Sequence, residues 1–185
     1  MTIDSFEPIL EAARAGAEWA WARIYAEMAP AVLGYLRAQR AHEPEDLTGE
    51  VFLDLVRGLK SFEGDERGFR AWVFTIARNR QIDDVRKRKR RIVSIALEED
   101  LAERAGHVGD AEAEAVASLG SEEILRSLDA LSADQRTVLL LRIFGGFRVS
   151  EIAEIVGKSE GAVKALHFRA TSGIRERMAL EGVTG

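Results

Sequence analysis

Apolar residues recur at helical spacing along almost the whole chain, and no stretch shows the strict in–out alternation of a half-buried strand. Proline stands only at positions 8, 30 and 44, so long helices are permitted over most of the 185 residues. The pattern predicts an all-α chain. Trp19, Ile24, Tyr25, Met28, Val32, Leu33 and Leu36 read as two early helices, with Pro30 at a start or a kink. A helix over about 46–60 points Leu47, Val51, Phe52, Leu55, Val56 and Leu59 inward, and SFEGDERG follows as a loop. A long helix then starts near Phe69, with Val73, Ile76 and Ala77 on one face.

The formal net charge of −5 hides four blocks. Residues 1–66 carry 6 basic and 13 acidic side chains, residues 67–91 carry 10 and 2, residues 92–123 carry 1 and 9, and residues 124–185 carry 9 and 7. The basic block ends in the run Arg86–Arg91, on the continuation of a packed helix rather than in a free tail. Residues 92–120 are poor in large apolar side chains and rich in Ala, Glu and Gly, which predicts a flexible acidic linker, with room for a short alanine-rich helix. The expected organisation is two small helical domains, 1–91 and 121–185, joined by the tether 92–120.

In the second domain Ile124, Leu125, Leu128 and Leu131 begin the helical pattern, and Ser132 with Gln135 forms a capping-box signature for a helix ended by Gly145 and Gly146. The next segment reads as a helix-turn-helix. Ser150 is the expected cap of its first helix, Ile152, Ala153 and Val156 face inward, Gly157 occupies the left-handed position, and Ser159 caps a second helix held by Val163. The second helix of such a unit enters the major groove by its N-terminal part, which would present Ser159, Glu160, Gly161, Lys164, Ala165, Phe168 and Arg169. A charge of only +2 over this domain predicts weak independent affinity for DNA.

With no cysteine there is no disulfide, thiolate nucleophile or cysteine-ligated zinc. His42, His107 and His167 are too dispersed for a metal site, so neither cofactor nor metal is expected. The start is acidic and leads into no signal-peptide core, and no run reaches about 18 apolar residues. A cytoplasmic protein without membrane insertion is expected, with no sensory domain appended after the helix-turn-helix.

Two segments together resemble one family, the extracytoplasmic-function group of bacterial sigma factors: EDLTGEVFLDLVRGL followed by FRAWVFTIARNRQIDDVRKRKRR, and LDALSADQRTVLLLRIFGGFRVSEIAEIVGKSEGAVKALHFRA. The resemblance implies a noncatalytic subunit that binds core RNA polymerase, through its beta-prime clamp and beta flap, and directs promoter-specific initiation. It implies that Asp46, Leu47, Glu50, Val51, Phe52, Leu53 and Val56 meet the clamp. It implies that the loop Ser61–Arg70 holds an unstacked base of the −10 element, with Asn79 at the edge of the duplex and Arg70, Arg78, Arg80, Arg86, Lys87 and Arg88 on the strand. Ser159, Glu160, Lys164, Ala165, Phe168 and Arg169 would read the −35 element, the linker would thread toward the RNA exit path, and an anti-sigma protein is a further partner. Leu166 and His167 depart from the family's usual basic–apolar order, which leaves open which of them faces the domain core.

The alternatives are a free-standing helix-turn-helix regulator, which would dimerise although no heptad seam is visible, and an enzyme. A monomer is expected when the protein is free. For catalysis the adjacent Asp83 and Asp84 suggest a magnesium site, but a second carboxylate cluster is missing, and pairing with Arg80, Arg86 or Lys87 across a helix turn explains them.

Overall fold

A computed structural model describes residues 6–98 and 127–180, with side chains described to Arg91 and from Ser127 to Arg177. Among the described residues the protein is all-helical: α1 (Phe6–Arg14), α2 (Glu18–Ala38), α3 (Pro44–Gly58), a 3-10 turn (Leu59–Ser61), α4 (Glu66–Glu98), α5 (Ala133–Gly145), α6 (Val149–Val156) and α7 (Glu160–Leu180). The linker beyond residue 98, with its alanine-rich segment, and Ile124 and Leu125 lie outside the described residues.

The first helix is one that the sequence reading did not assign. Phe6, Ile9, Leu10 and Ala13 fall on one face and are buried, and Gly16, at φ +83°, turns the chain into α2. The two early helices expected around Pro30 are one, because α2 runs through that proline. Pro30 is exposed, so the hydrogen bond it cannot donate belongs to a carbonyl on the wet side of the helix. Pro44 sits in the first turn of α3, where its missing N–H costs nothing. Asp65 starts α4 by accepting from the Gly68 N–H at 2.7 Å. This helix continues past the expected boundary at residue 91, so the basic run lies within a helix rather than at its end.

Val32, Tyr35, Leu36, Val51, Leu55, Leu59, Val73 and Phe74 fill the middle of α1–α4; Val138, Leu140, Leu141, Ile152, Val163 and Ala170 fill that of α5–α7. These two centres join in one continuous core. The Phe74 and Phe147 rings meet edge-to-face at 5.3 Å, and a Cβ on Gly34 would overlap the Phe144 ring, so α2 admits α5 only because that position is glycine. Gln39 spans the junction, donating to Tyr35 Oη at 3.2 Å and to Thr137 Oγ1 at 3.0 Å. Burial pushes the Tyr35 phenol up to about 12, against the lowering influence of Gln39, Arg78 and Thr137.

Candidate nucleic-acid interface

The helix-turn-helix is built by its caps. Ser132 and Gln135 bond reciprocally, Ser132 N–H to Gln135 Oε1 at 2.9 Å and Gln135 N–H to Ser132 Oγ at 3.3 Å, and α5 ends at Gly146 in the left-handed region. The cap of α6 is not Ser150. The cap is Arg148, two residues earlier, the helix begins at Val149, and the Glu151 carboxylate accepts from the Arg148 N–H at 2.6 Å. A carboxylate in this first turn is also favoured by the helix's positive end.

Gly157, at φ +67°, lets its own N–H and that of Lys158 reach back to the carbonyls of Glu154 and Ala153, at 3.3 and 3.0 Å. Ser159 Oγ then accepts from the Ala162 N–H. Gly157→Val is expected to cost about 1–3 kcal/mol, since a branched residue is strained at this φ, while Gly157→Asn costs far less; thermal unfolding of the two variants gives the comparison.

These caps orient α7. Val163 and Ala170 are fully buried beneath it, while Ser159, Glu160, Gly161, Lys164, Ala165 and Arg169 are exposed and Phe168 is 70% exposed. The expected reading face is therefore free along its length, apart from the Lys164–Glu160 pair at 3.7 Å. Leu166 packs against the core, whereas His167 is half-buried and outside the apolar set.

On α4, Asn79, Arg86, Lys87 and Arg88 are exposed and Arg78 is half-buried near Tyr35. Asp83 and Asp84 meet Arg86 and Arg88 at 3.5 Å each, one helix turn away. Among the described residues no three His, Asp or Glu side chains gather as a metal site. Arg80 turns away from the outer surface: its Nη1 meets Glu50 at 2.9 Å and its Nε donates to Asp54 at 2.7 Å. Hydrogen bonding to Asp54, together with the charges of Asp54, Glu50 and Asp83, outweighs partial burial and raises its pKa.

Residues 24–91 match Sigma-70 region 2, and residues 121–171 match Sigma-70 region 4. The chain is 31% identical over 169 residues to RNA polymerase sigma factor CarQ of Myxococcus xanthus, covering 90% of this chain and 94% of that one. It belongs to the RNA polymerase sigma factors of the ECF group. It is also 32% identical over 167 residues to ECF RNA polymerase sigma factor BldN of Streptomyces coelicolor, covering 88% of this chain and 61% of that relative's length. The structure of the sigma factor RpoE in complex with the anti-sigma factor NepR, from Bartonella quintana, aligns at a TM-score of 0.67 and 25% identity over 88% of this chain and 97% of that one. Sigma factors are not enzymes; they bind core RNA polymerase and direct promoter-specific transcription initiation.

In this sigma factor α3 divides the residues expected at the polymerase. Leu53 and Val56 are 56% and 51% exposed, Asp46 is exposed, and Glu50 is half-buried in its pair with Arg80. Leu47, at 9%, and Val51, at 0%, instead face the core with Phe52. Trp72 stacks on Phe62 at 5.1 Å and Phe74 is fully buried, so both are packing residues.

The expected strand-binding Arg70 is also engaged within the chain. Its Nε and Nη2 donate to the carbonyls of Gly145 and Phe144 at 2.9 and 3.2 Å, and its Nη1 approaches Met28 Sδ at 3.7 Å. Arg67, within the expected base-holding loop Ser61–Arg70, forms a two-pronged pair with Glu151, both contacts at 2.8 Å. Arg40 and Arg136 converge on Asp129, Nη2 to carboxylate, at 2.8 and 2.9 Å. Arg67, Arg70 and Arg40 thus reach from the first domain to acceptors in the second, where sequence spacing gives no signal, while Arg136 joins Asp129 from within the second domain.

Burial raises the Glu151 and Asp129 carboxyls, but Arg67 with the Arg148 N–H, and Arg40 with Arg136, hold both below their ordinary 4.5 and 3.8. A depressed folded-state pKa contributes stability that is present above the ordinary value and lost as pH falls through the folded one. The domain junction is therefore expected to keep its strength above about pH 4.5 and weaken below about pH 4. Thermal unfolding across that range should show the loss, and Glu151→Gln should flatten it.

Proposed function

We propose that residues 1–91 bind core polymerase and the melted −10 element, that 92–120 tether the domains, and that 121–185 read the −35 element in duplex DNA. One observation carries this: a single chain bears an exposed cationic row on α4 and a helix-turn-helix whose reading face on α7 is free of core contacts. Asp46, Leu53 and Val56, with Glu50, form the polymerase-facing set on α3. Asn79, Arg86, Lys87 and Arg88 hold the strand, with Arg78 beside them, and Lys164, Ala165, Phe168 and Arg169 meet base edges while Ser159 and Glu160 set the helix start.

The RpoE–NepR complex supports an anti-sigma protein as a further partner for this chain. Among the described residues no helix is long and apolar enough to cross a membrane, and a cytoplasmic location follows from work on the chromosome. Transcription in vitro with core polymerase tests the reading. Start sites should share two upstream elements, and Lys164→Ala with Arg169→Ala should weaken initiation at all of them; initiation that is independent of the added chain would overturn it.

A further inference from the structure

We propose that Arg67 and Arg70 form a phosphate-binding pair for the promoter strand, and that the second domain masks it in the free chain by offering anion-like acceptors in place of phosphates. The pair sits in the first turns of α4, three residues apart and so on one face. Each guanidinium is a planar fork suited to two-pronged capture of phosphate or carboxylate. Both forks are filled from the second domain, Arg67 by the two oxygens of Glu151 and Arg70 by two carbonyls at the end of α5, where the helix dipole is negative.

The substitution of acceptors is chemically close. A carboxylate and two helix-end carbonyls present negative oxygens to the same guanidinium donors that phosphate oxygens would use. Phe144 and Gly145, the residues whose carbonyls hold Arg70, lie beside Gly34 and Phe147 at the packed junction. A strand cannot reach Arg70 until that junction parts, so closure of the domains and capture of the strand are mutually exclusive. This extends the proposed strand-binding role of α4 to its first turns and rests on that role. It gives Arg67, within the Ser61–Arg70 loop, a phosphate-binding role and makes the domain junction a competitor of DNA.

The chain has no native cysteine, so cysteines placed at the exposed Lys60 and Glu154 can carry a donor and an acceptor dye across the junction. Two variants open it by different means. Glu151→Gln removes the charge facing Arg67 yet keeps an oxygen to accept from Arg148, and Gly34→Leu wedges α2 off Phe144. The readouts are energy transfer and the affinity of the free chain for a short single-stranded oligodeoxynucleotide of mixed sequence, since phosphate contacts carry no sequence.

Opening should lower transfer and tighten oligonucleotide binding about fivefold at low salt, and adding Arg67→Gln should abolish the gain. Opened, folded variants that bind no tighter than the parent, or variants that leave transfer unchanged, would overturn the masking. Should Gly34→Leu not fold, Glu151→Gln gives the same decision. Failure of transcription with core polymerase, alongside the expected gain in oligonucleotide binding, would instead sink the promoter reading and leave the masking in place.

Discussion

A chain with glutamine at Arg86, Lys87 and Arg88 is expected to bind core polymerase as the parent does and to lose promoter opening by about a hundredfold at moderate salt. All three side chains are exposed on α4, and the carboxylates nearest Arg86 and Arg88 stand off at 3.5 Å, within the same helix, where solvent screens the attraction. Three lost phosphate contacts on a single strand should also make the dependence of log K on log salt shallower by about 2. An unchanged slope would show that the row does not meet phosphates. Arg80→Gln is the internal contrast. Its guanidinium is committed to Glu50 and Asp54, so its loss should loosen α3 against α4, lowering the unfolding temperature, and leave the salt slope nearly as it was.

How far each part was readable from sequence follows from whether its determinants are local. The caps of the helix-turn-helix are local: Ser132 with Gln135, Gly157, and Ser159 each act within a few residues, and their spacing gave the helices and the exposed face of α7. The cap of α6 lies two residues before the expected Ser150, at Arg148, whose N–H the Glu151 carboxylate holds beside the helix's positive end. On α3 the apolar residues Leu47, Val51, Phe52, Leu53, Leu55 and Val56 wrap too far around the helix for spacing to assign inside and outside. The fold decides that Leu47 and Val51 are covered while Leu53 and Val56 are not. Pro30 passed through α2 because that side faces water, which no local rule states. The partners of Arg67, Arg70 and Arg80 lie 26 to 84 residues away along the chain; a row of cations in sequence therefore overstates the charge available to DNA.

Phe74→Ala is expected to cost about 3–5 kcal/mol, the range for deleting a buried aromatic ring. Phe74 is fully buried, meets Tyr35 at 5.7 Å and Phe147 at 5.3 Å, and both contacts are edge-to-face. The ring thus supports the first domain's core and its seam with the second at once. Phe147→Ala removes the opposite side of the seam, so the two losses should not add, and a double-mutant cycle should return a coupling of about 0.5–1.5 kcal/mol from this pair. Additive losses would mean that the domains do not share the contact in solution. The seam also bears on cooperativity. With Phe74 and Phe147 in place the described helices enclose one continuous core and should unfold together. With both removed the domains keep their own centres, around Leu55 and Leu141, and unfolding should separate into two steps by calorimetry. The larger loss is expected in the first domain, because Phe74 lies at the centre of α2–α4 whereas Phe147 lies on the short link between α5 and α6.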